Sequence, residues 1–188
     1  GFMRSSQTAG LEYEAGLWAG GLSWVTGIDE AGRGAWAGPV MAGAVCLPAE
    51  RAADLPHLLR GVRDSKQVTV RGRERLFELI TQTAHAWGVG AASADEITAL
   101  GIVPATCLAI RRALDVVRAR ITPDYLLLDS IKCAPDGLSP LTQGGAIGHQ
   151  AIIRGDKLSL SIAAASILAK VTRDAHMREL DSQYPGYG

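Results

Sequence analysis

The sequence predicts an α/β domain built on a central mixed β-sheet flanked by α-helices. Three observations carry that prediction. Short apolar runs end at Gly, Pro or Asp in the manner of strands. Amphipathic stretches with capping residues lie between them. Finally, strands dominate the first part of the chain and helices alternate with strands later, which suits helices packed on the faces of one sheet.

The elements follow in order. Trp24 to Ile28 is a strand-like run that ends in Asp29-Glu30. After a glycine-rich turn, Val40 to Leu47 is apolar and stops at Pro48, again as a strand. Thr69 is placed to cap a helix over Val70 to Thr83, with Leu76, Phe77, Leu79 and Ile80 on one face. Trp87 to Ala91 reads as a third strand. Ser93-Ala94-Asp95-Glu96 has the spacing of a capping box and opens a short helix. A longer helix runs from about Pro104 to Arg120, with Pro104 tolerated in its first turn. Tyr125 to Leu128 is a wholly apolar strand ending at Asp129, and Ala151 to Ile153 is another, ending near Asp156. From there the chain reads as one long helix to about Leu180, its alanines permitting close approach to a sheet.

Composition narrows the function. The 188 residues are 47% apolar and 20% charged, enough for one cored domain and against wholesale disorder. Nineteen basic residues balance nineteen acidic ones, which excludes a binder held to polyanions by bulk charge but permits a local basic patch. No apolar run approaches the roughly 20 residues of a membrane span, and Glu12 and Glu14 interrupt the start where a signal peptide would be apolar. Cys46, Cys107 and Cys133 lack the spacing of a zinc site and read as reduced, mostly buried thiols. A soluble cytoplasmic domain without membrane contact is expected.

Three apolar strands end in acids: Asp29 with Glu30, then Asp129, then Asp156. Taken singly, each is explained as a polar residue in a turn. Taken together they place four carboxylates at strand ends, where sites of open α/β sheets assemble. Four such groups repel one another unless cations neutralise them, and hard oxygen ligands suit Mg²⁺ or Mn²⁺ rather than zinc. Neighbouring strand residues point to opposite faces, so Asp29 and Glu30 share a site only if the strand ends there. A second reading comes from Gly32-Arg33-Gly34-Ala35-Trp36-Ala37, which meets the loose dinucleotide-binding pattern, with Asp54 where a ribose-binding acid would sit. That oxidoreductase reading fails on context, because Gly38-Pro39 and a strand follow where a helix N-terminus is required. Such a turn otherwise lets the backbone close on a sugar or phosphate, with Arg33 facing an anion.

Gly27-Ile28-Asp29-Glu30-Ala31-Gly32-Arg33-Gly34, followed by Ala37-Gly38-Pro39-Val40, resembles the opening motif of the ribonuclease HII family. The resemblance continues through Asp64-Ser65-Lys66-Gln67, Tyr125 to Asp129, Ile153-Arg154-Gly155-Asp156-Lys157 and Ile162 to Lys170. It implies a ribonuclease H-like fold in a single catalytic domain over residues 1–188, with residues 1–22 as an N-terminal lead-in. It implies a monomeric endonuclease that cuts RNA in RNA–DNA hybrids and single ribonucleotides embedded in duplex DNA, leaving a 3′ hydroxyl and a 5′ phosphate. Its metal ligands and catalytic residues would be Asp29, Glu30, Asp129 and Asp156. Two Mg²⁺ or Mn²⁺ ions about 3.5–4 Å apart would activate a water and stabilise the departing oxygen. Gly32, Arg33 and Gly34 would lie against the 2′-hydroxyl that distinguishes RNA from DNA, and Ser65 and Lys66 against a nearby phosphate.

Two departures are visible. Ser130 follows Asp129 where the family usually carries glycine, and the chain stops at Gly188 ahead of the family's His-Lys-Gly-Tyr-Gly-Thr type motif. Weakened recognition of the RNA–DNA junction is expected from the second, with a non-catalytic duplex-binding remnant as the alternative. Asp174 is expected to form a structural ion pair with Arg173 rather than to act as a fifth ligand. The four histidines lack the spacing of a ligand set.

Overall fold

A computed structural model describes residues 8–33, 38–63, 68–129 and 147–183. Five strands, β1 (Val25–Ala31), β2 (Val40–Cys46), β3 (Ala86–Ala92), β4 (Tyr125–Asp129) and β5 (Gly148–Ile152), form one sheet in the order β3-β2-β1-β4-β5. β1, β2 and β3 pair antiparallel, whereas β4 runs parallel to both β1 and β5. The sheet is mixed, as expected.

The helices are α1 (Glu12–Ala19), α2 (Val70–Thr83), α3 (Ala94–Leu100), α4 (Ile102–Arg118) and α5 (Leu160–Gln183). Short helical turns join β2 to α2, and another, Gly155–Leu158, precedes α5. Local capping defines two of the starts. Thr69 Oγ1 accepts from the Gly72 N–H at 3.1 Å. Ser93 Oγ accepts from the Glu96 N–H at 3.1 Å while Glu96 returns the bond to the Ser93 N–H at 3.0 Å. Ser93→Ala is expected to cost about 1 kcal/mol, read as a lowered thermal midpoint.

The period of two in each strand sorts side chains between two helical layers. Val40, Ala42, Ala44 and Cys46 of β2 face one layer with Ile28 and Leu128, packing on Ala109, Ala113 and Leu114 of α4. Val45 faces the other, against Ala164, Ala165 and Leu168 of α5. Glycines on the strands let both helices approach closely. A Cβ on Gly43 would fall 2.2 Å from the Ala165 carbonyl oxygen, and one on Gly90 would fall 2.2 Å from that of Ala109.

Four expectations need correction. Residues 10–19 are more than a lead-in: α1 packs on the sheet through Tyr13, Leu17 and Trp18. The final helix is broken at Ser159, whose extended backbone pairs with Gly10. Asp174 pairs with Arg73 of α2, at 3.0 Å, because sequence neighbours on a helix do not face each other and an adjacent helix does. Cys107 is disulfide-bonded, whereas Cys46 is a free buried thiol; Cys133 lies outside the described residues. Among the described residues no helix is long and apolar enough to cross a membrane.

Candidate active site

β1 and β4 pair in parallel up to Ile28 and Leu128, and the next residues are Asp29 and Asp129. Strand alternation puts Val25, Gly27 and Leu127 on the α5 side, so Asp29 and Asp129 emerge on that side together. The strand does not end at Asp29. β1 stays paired with β2 through Ala31, and only its pairing with β4 stops. By the same alternation Glu30 falls on the opposite side of the strand.

Asp156 arrives differently from the expected strand end. β5 stops at Ile152, Ile153 is 80% exposed, and Arg154 adopts a left-handed conformation with φ 56°. The chain thereby turns into Gly155–Leu158, and Asp156 stands on that helical turn. One carboxylate oxygen from each of Asp29, Asp129 and Asp156 lies within 4.8 Å of the others. Backbone donors hold two of them: the Glu30 N–H donates to Asp29 Oδ1 at 2.8 Å, and the Gly155 N–H donates to Asp129 Oδ1 at 2.9 Å. Gly155 is confined there, since a Cβ would fall 2.7 Å from Ile162 Cδ1.

The electrostatics of this cluster are unfavourable without a cation. Burial, then the charges of Glu30 and Asp129, and last that of Asp156, push the Asp29 carboxyl well above the usual carboxylate range; the Glu30 N–H opposes the shift. Asp29 is only 4% exposed, so water cannot screen the repulsion. Three oxygen donors with no thiolate or imidazole among them fit a hard divalent cation, which would remove the repulsion that raises Asp29. Glu30 stands outside the three-oxygen cluster, yet it is close enough for its charge to act on Asp29.

The glycine turn borders this site. Gly32 has φ +96°, and a Cβ there would fall 2.3 Å from Arg173 Nε and 2.7 Å from the Pro39 carbonyl oxygen. Arg173 Nε itself donates to that oxygen at 3.2 Å, so α5 braces the turn. Arg33 follows, with its Nε buried and lacking an acceptor among the described residues. Gly34, Ser65 and Lys66 lie outside the described residues. Sequence reasoning overlooked the Arg173 brace and the Gly155 N–H; neither has a local signal, because each is defined by a partner over 20 residues away.

Comparison with known proteins agrees with this geometry. The family model for ribonuclease HII matches residues 26–188. The ribonuclease HII of Synechococcus sp. (strain JA-3-3Ab) is 48% identical over 178 residues, covering 95% of this chain and 74% of that protein. That of Roseiflexus castenholzii is likewise 48% identical over 178 residues, with the same coverage. Among solved structures, ribonuclease H2 of Pyrococcus horikoshii OT3 superposes with a TM-score of 0.75 at 30% identity, covering 87% of this chain and 78% of that one. The five-stranded mixed sheet between helical layers is thus a ribonuclease H-like fold. With its acidic cluster at the parting of β1 and β4, the chain belongs to the ribonuclease HII family and carries that family's ribonuclease H activity.

Proposed function

We propose that this chain is a single catalytic domain that acts, as a monomer in the cytoplasm, in removing ribonucleotides from DNA. It hydrolyses the RNA strand of RNA–DNA hybrids and cuts on the 5′ side of single ribonucleotides embedded in duplex DNA, leaving a 3′ hydroxyl and a 5′ phosphate. The convergence of Asp29, Asp129 and Asp156 within 4.8 Å, from within β1, the end of β4 and a helical turn, carries the reading. These three would hold Mg²⁺ or Mn²⁺, two ions in the active complex, and Glu30, which the family resemblance adds to the set, would reach the ions from the other face of β1 around the edge left unpaired beyond Ile28. Bound divalent cations lower the pKa of an attacking water and stabilise charge on the departing oxygen.

The chain's own residues orient the substrate. As the family resemblance implies, the Gly32–Gly34 turn would lie against the sugar edge, the place where a 2′-hydroxyl is felt. Arg33 offers a buried Nε donor that has no acceptor among the described residues, and a sugar or phosphate oxygen would supply one. Ser65 and Lys66 position a phosphate without reading bases.

The test is incubation with duplex DNA carrying one ribonucleotide, with Mg²⁺ or Mn²⁺. A single cut 5′ of the ribonucleotide with a ligatable 3′ hydroxyl is expected. Substrate left intact under both metals would overturn the reading, and binding without cutting would favour a duplex-binding module.

A further inference from the structure

A second buried carboxylate lies outside the acidic cluster. Glu14 of α1 is fully buried. Its Oε2 accepts from Ser159 Oγ at 3.0 Å and from the Ser161 backbone N–H at 2.9 Å. Ser159 is the extended residue between the Asp156 turn and α5, and its Oγ also accepts from the Ile162 N–H at 3.2 Å. Backbone bonds secure the same junction: Leu160 N–H to the Gly10 oxygen at 2.8 Å, and Gly10 N–H to the Leu158 oxygen at 3.2 Å.

What the first turn of α5 touches is the support of the acidic site. The Ser161–Ile162 backbone lies on Gly27, two residues before Asp29. The Ile162 side chain abuts Gly155, which precedes Asp156 and donates its N–H to Asp129. Glu14 therefore grips a piece of chain that bears on the backbone supporting all three acids.

An apolar residue would anchor α1 with less desolvation. Burial pushes the Glu14 carboxyl above its usual range in spite of its donors. Its Oε1 is buried and makes no hydrogen bond among the described residues. A group this unfavourable as an anchor has its use in direction: a carboxylate oxygen fixes the two donors at angles that packing does not.

We propose that Glu14 is a positioning residue for the acidic site, fixing the Asp156 turn against β1 and β4 and thereby setting the affinity for the divalent cation. The proposal rests on Asp29, Asp129 and Asp156 being metal ligands. Its test is calorimetric titration of Mn²⁺ into the full chain without substrate, at a temperature where circular dichroism shows each variant folded. Glu14→Ala is expected to weaken Mn²⁺ binding roughly 10-fold, the lower end of effects for groups that orient ligands. Ser159→Ala removes one of the two donors and is expected to weaken it about threefold. Glu14→Gln keeps an acceptor oxygen for both donors and is expected to restore most of the affinity.

Folded Glu14→Ala with unchanged Mn²⁺ affinity and only a lower thermal midpoint would overturn the proposal, leaving Glu14 as an anchor of the fold. If Glu14→Ala does not fold, Ser159→Ala decides, and wild-type affinity there overturns it equally. Wild-type chain that takes up no Mn²⁺ at all would instead overturn the metal-site reading, and the proposal with it.

Discussion

Asp29→Asn is expected to lower cleavage of a ribonucleotide-containing duplex by about 1,000-fold, and also to raise the thermal midpoint of the cation-free chain. On the proposed function, the loss follows from removing a ligand whose cation would stabilise several kcal/mol of developing charge. The gain follows from the cost of the same carboxylate at rest. Asp29 is buried beside Glu30, Asp129 and Asp156, and its pKa stands well above the unfolded value. Over the intervening pH range the folded chain holds a proton that the unfolded chain has released, so stability falls as pH rises through it. Below the unfolded value both states are protonated and the penalty disappears; above the folded value it is complete. Asparagine carries no charge and still offers an oxygen to the Glu30 N–H. Melts in chelator at pH 5 and pH 7 read both effects: the wild-type midpoint drops across that interval, and that of Asp29→Asn drops less. A variant that melts no higher than wild type in chelator at pH 7 would show that the cluster stores no repulsion.

Gly27→Ala is expected to destabilise the chain by about 3 kcal/mol or more, and to remove activity with it. An added Cβ would fall 2.3 Å from the Ser161 carbonyl carbon and 2.6 Å from the Ile162 nitrogen. Both are backbone atoms, so no change of rotamer relieves the overlap. Either α5 lifts from β1 or the strand bends, and each movement shifts Asp29 away from Asp156. Against a total stability of about 5–15 kcal/mol, that loss is large. Gly16→Ala is the matched control, in the interior of α1 with nothing within 4 Å of its added Cβ. It is expected to be neutral or to stabilise by about 0.5–1 kcal/mol. Chemical denaturation of the pair measures the contrast. Equal midpoints for the two variants would show that the approach of α5 to β1 is not a tight constraint.

Much of the fold was legible because its signals are local. Thr69 and the Ser93–Glu96 box mark helix starts through bonds that close within three residues. β2, β3 and β4 stand within a residue or so of their apolar runs: β2 and the middle of β4 are buried on both faces, which demands unbroken hydrophobicity, whereas β3 at the sheet edge alternates between buried and half-buried residues. The long-range features were not legible. α1 has only eight residues and no side-chain cap, so its sequence looks like a loop until the sheet covers it. The break at Ser159 interrupts a run that is helical by composition on both sides, and the bond to Gly10 that stabilises the break lies about 150 residues away in sequence.

The same division holds for the acidic site. By itself the sequence determined which carboxylates to consider, because Asp29, Asp129 and Asp156 each punctuate an apolar run and sit in family motifs. Its zero net charge is compatible with such a site, since on the proposed function the positive charge needed beside a phosphate would arrive with a bound cation. Only the tertiary structure decided how those acids meet. Register between β1 and β4 sets Asp29 beside Asp129, the left-handed Arg154 turns Asp156 toward them, and pleating sends Glu30 to the other side. Identity is a property of single residues and is written in order along the chain. Proximity is a property of pairs, and here it is fixed by contacts between residues that the chain separates by tens of positions.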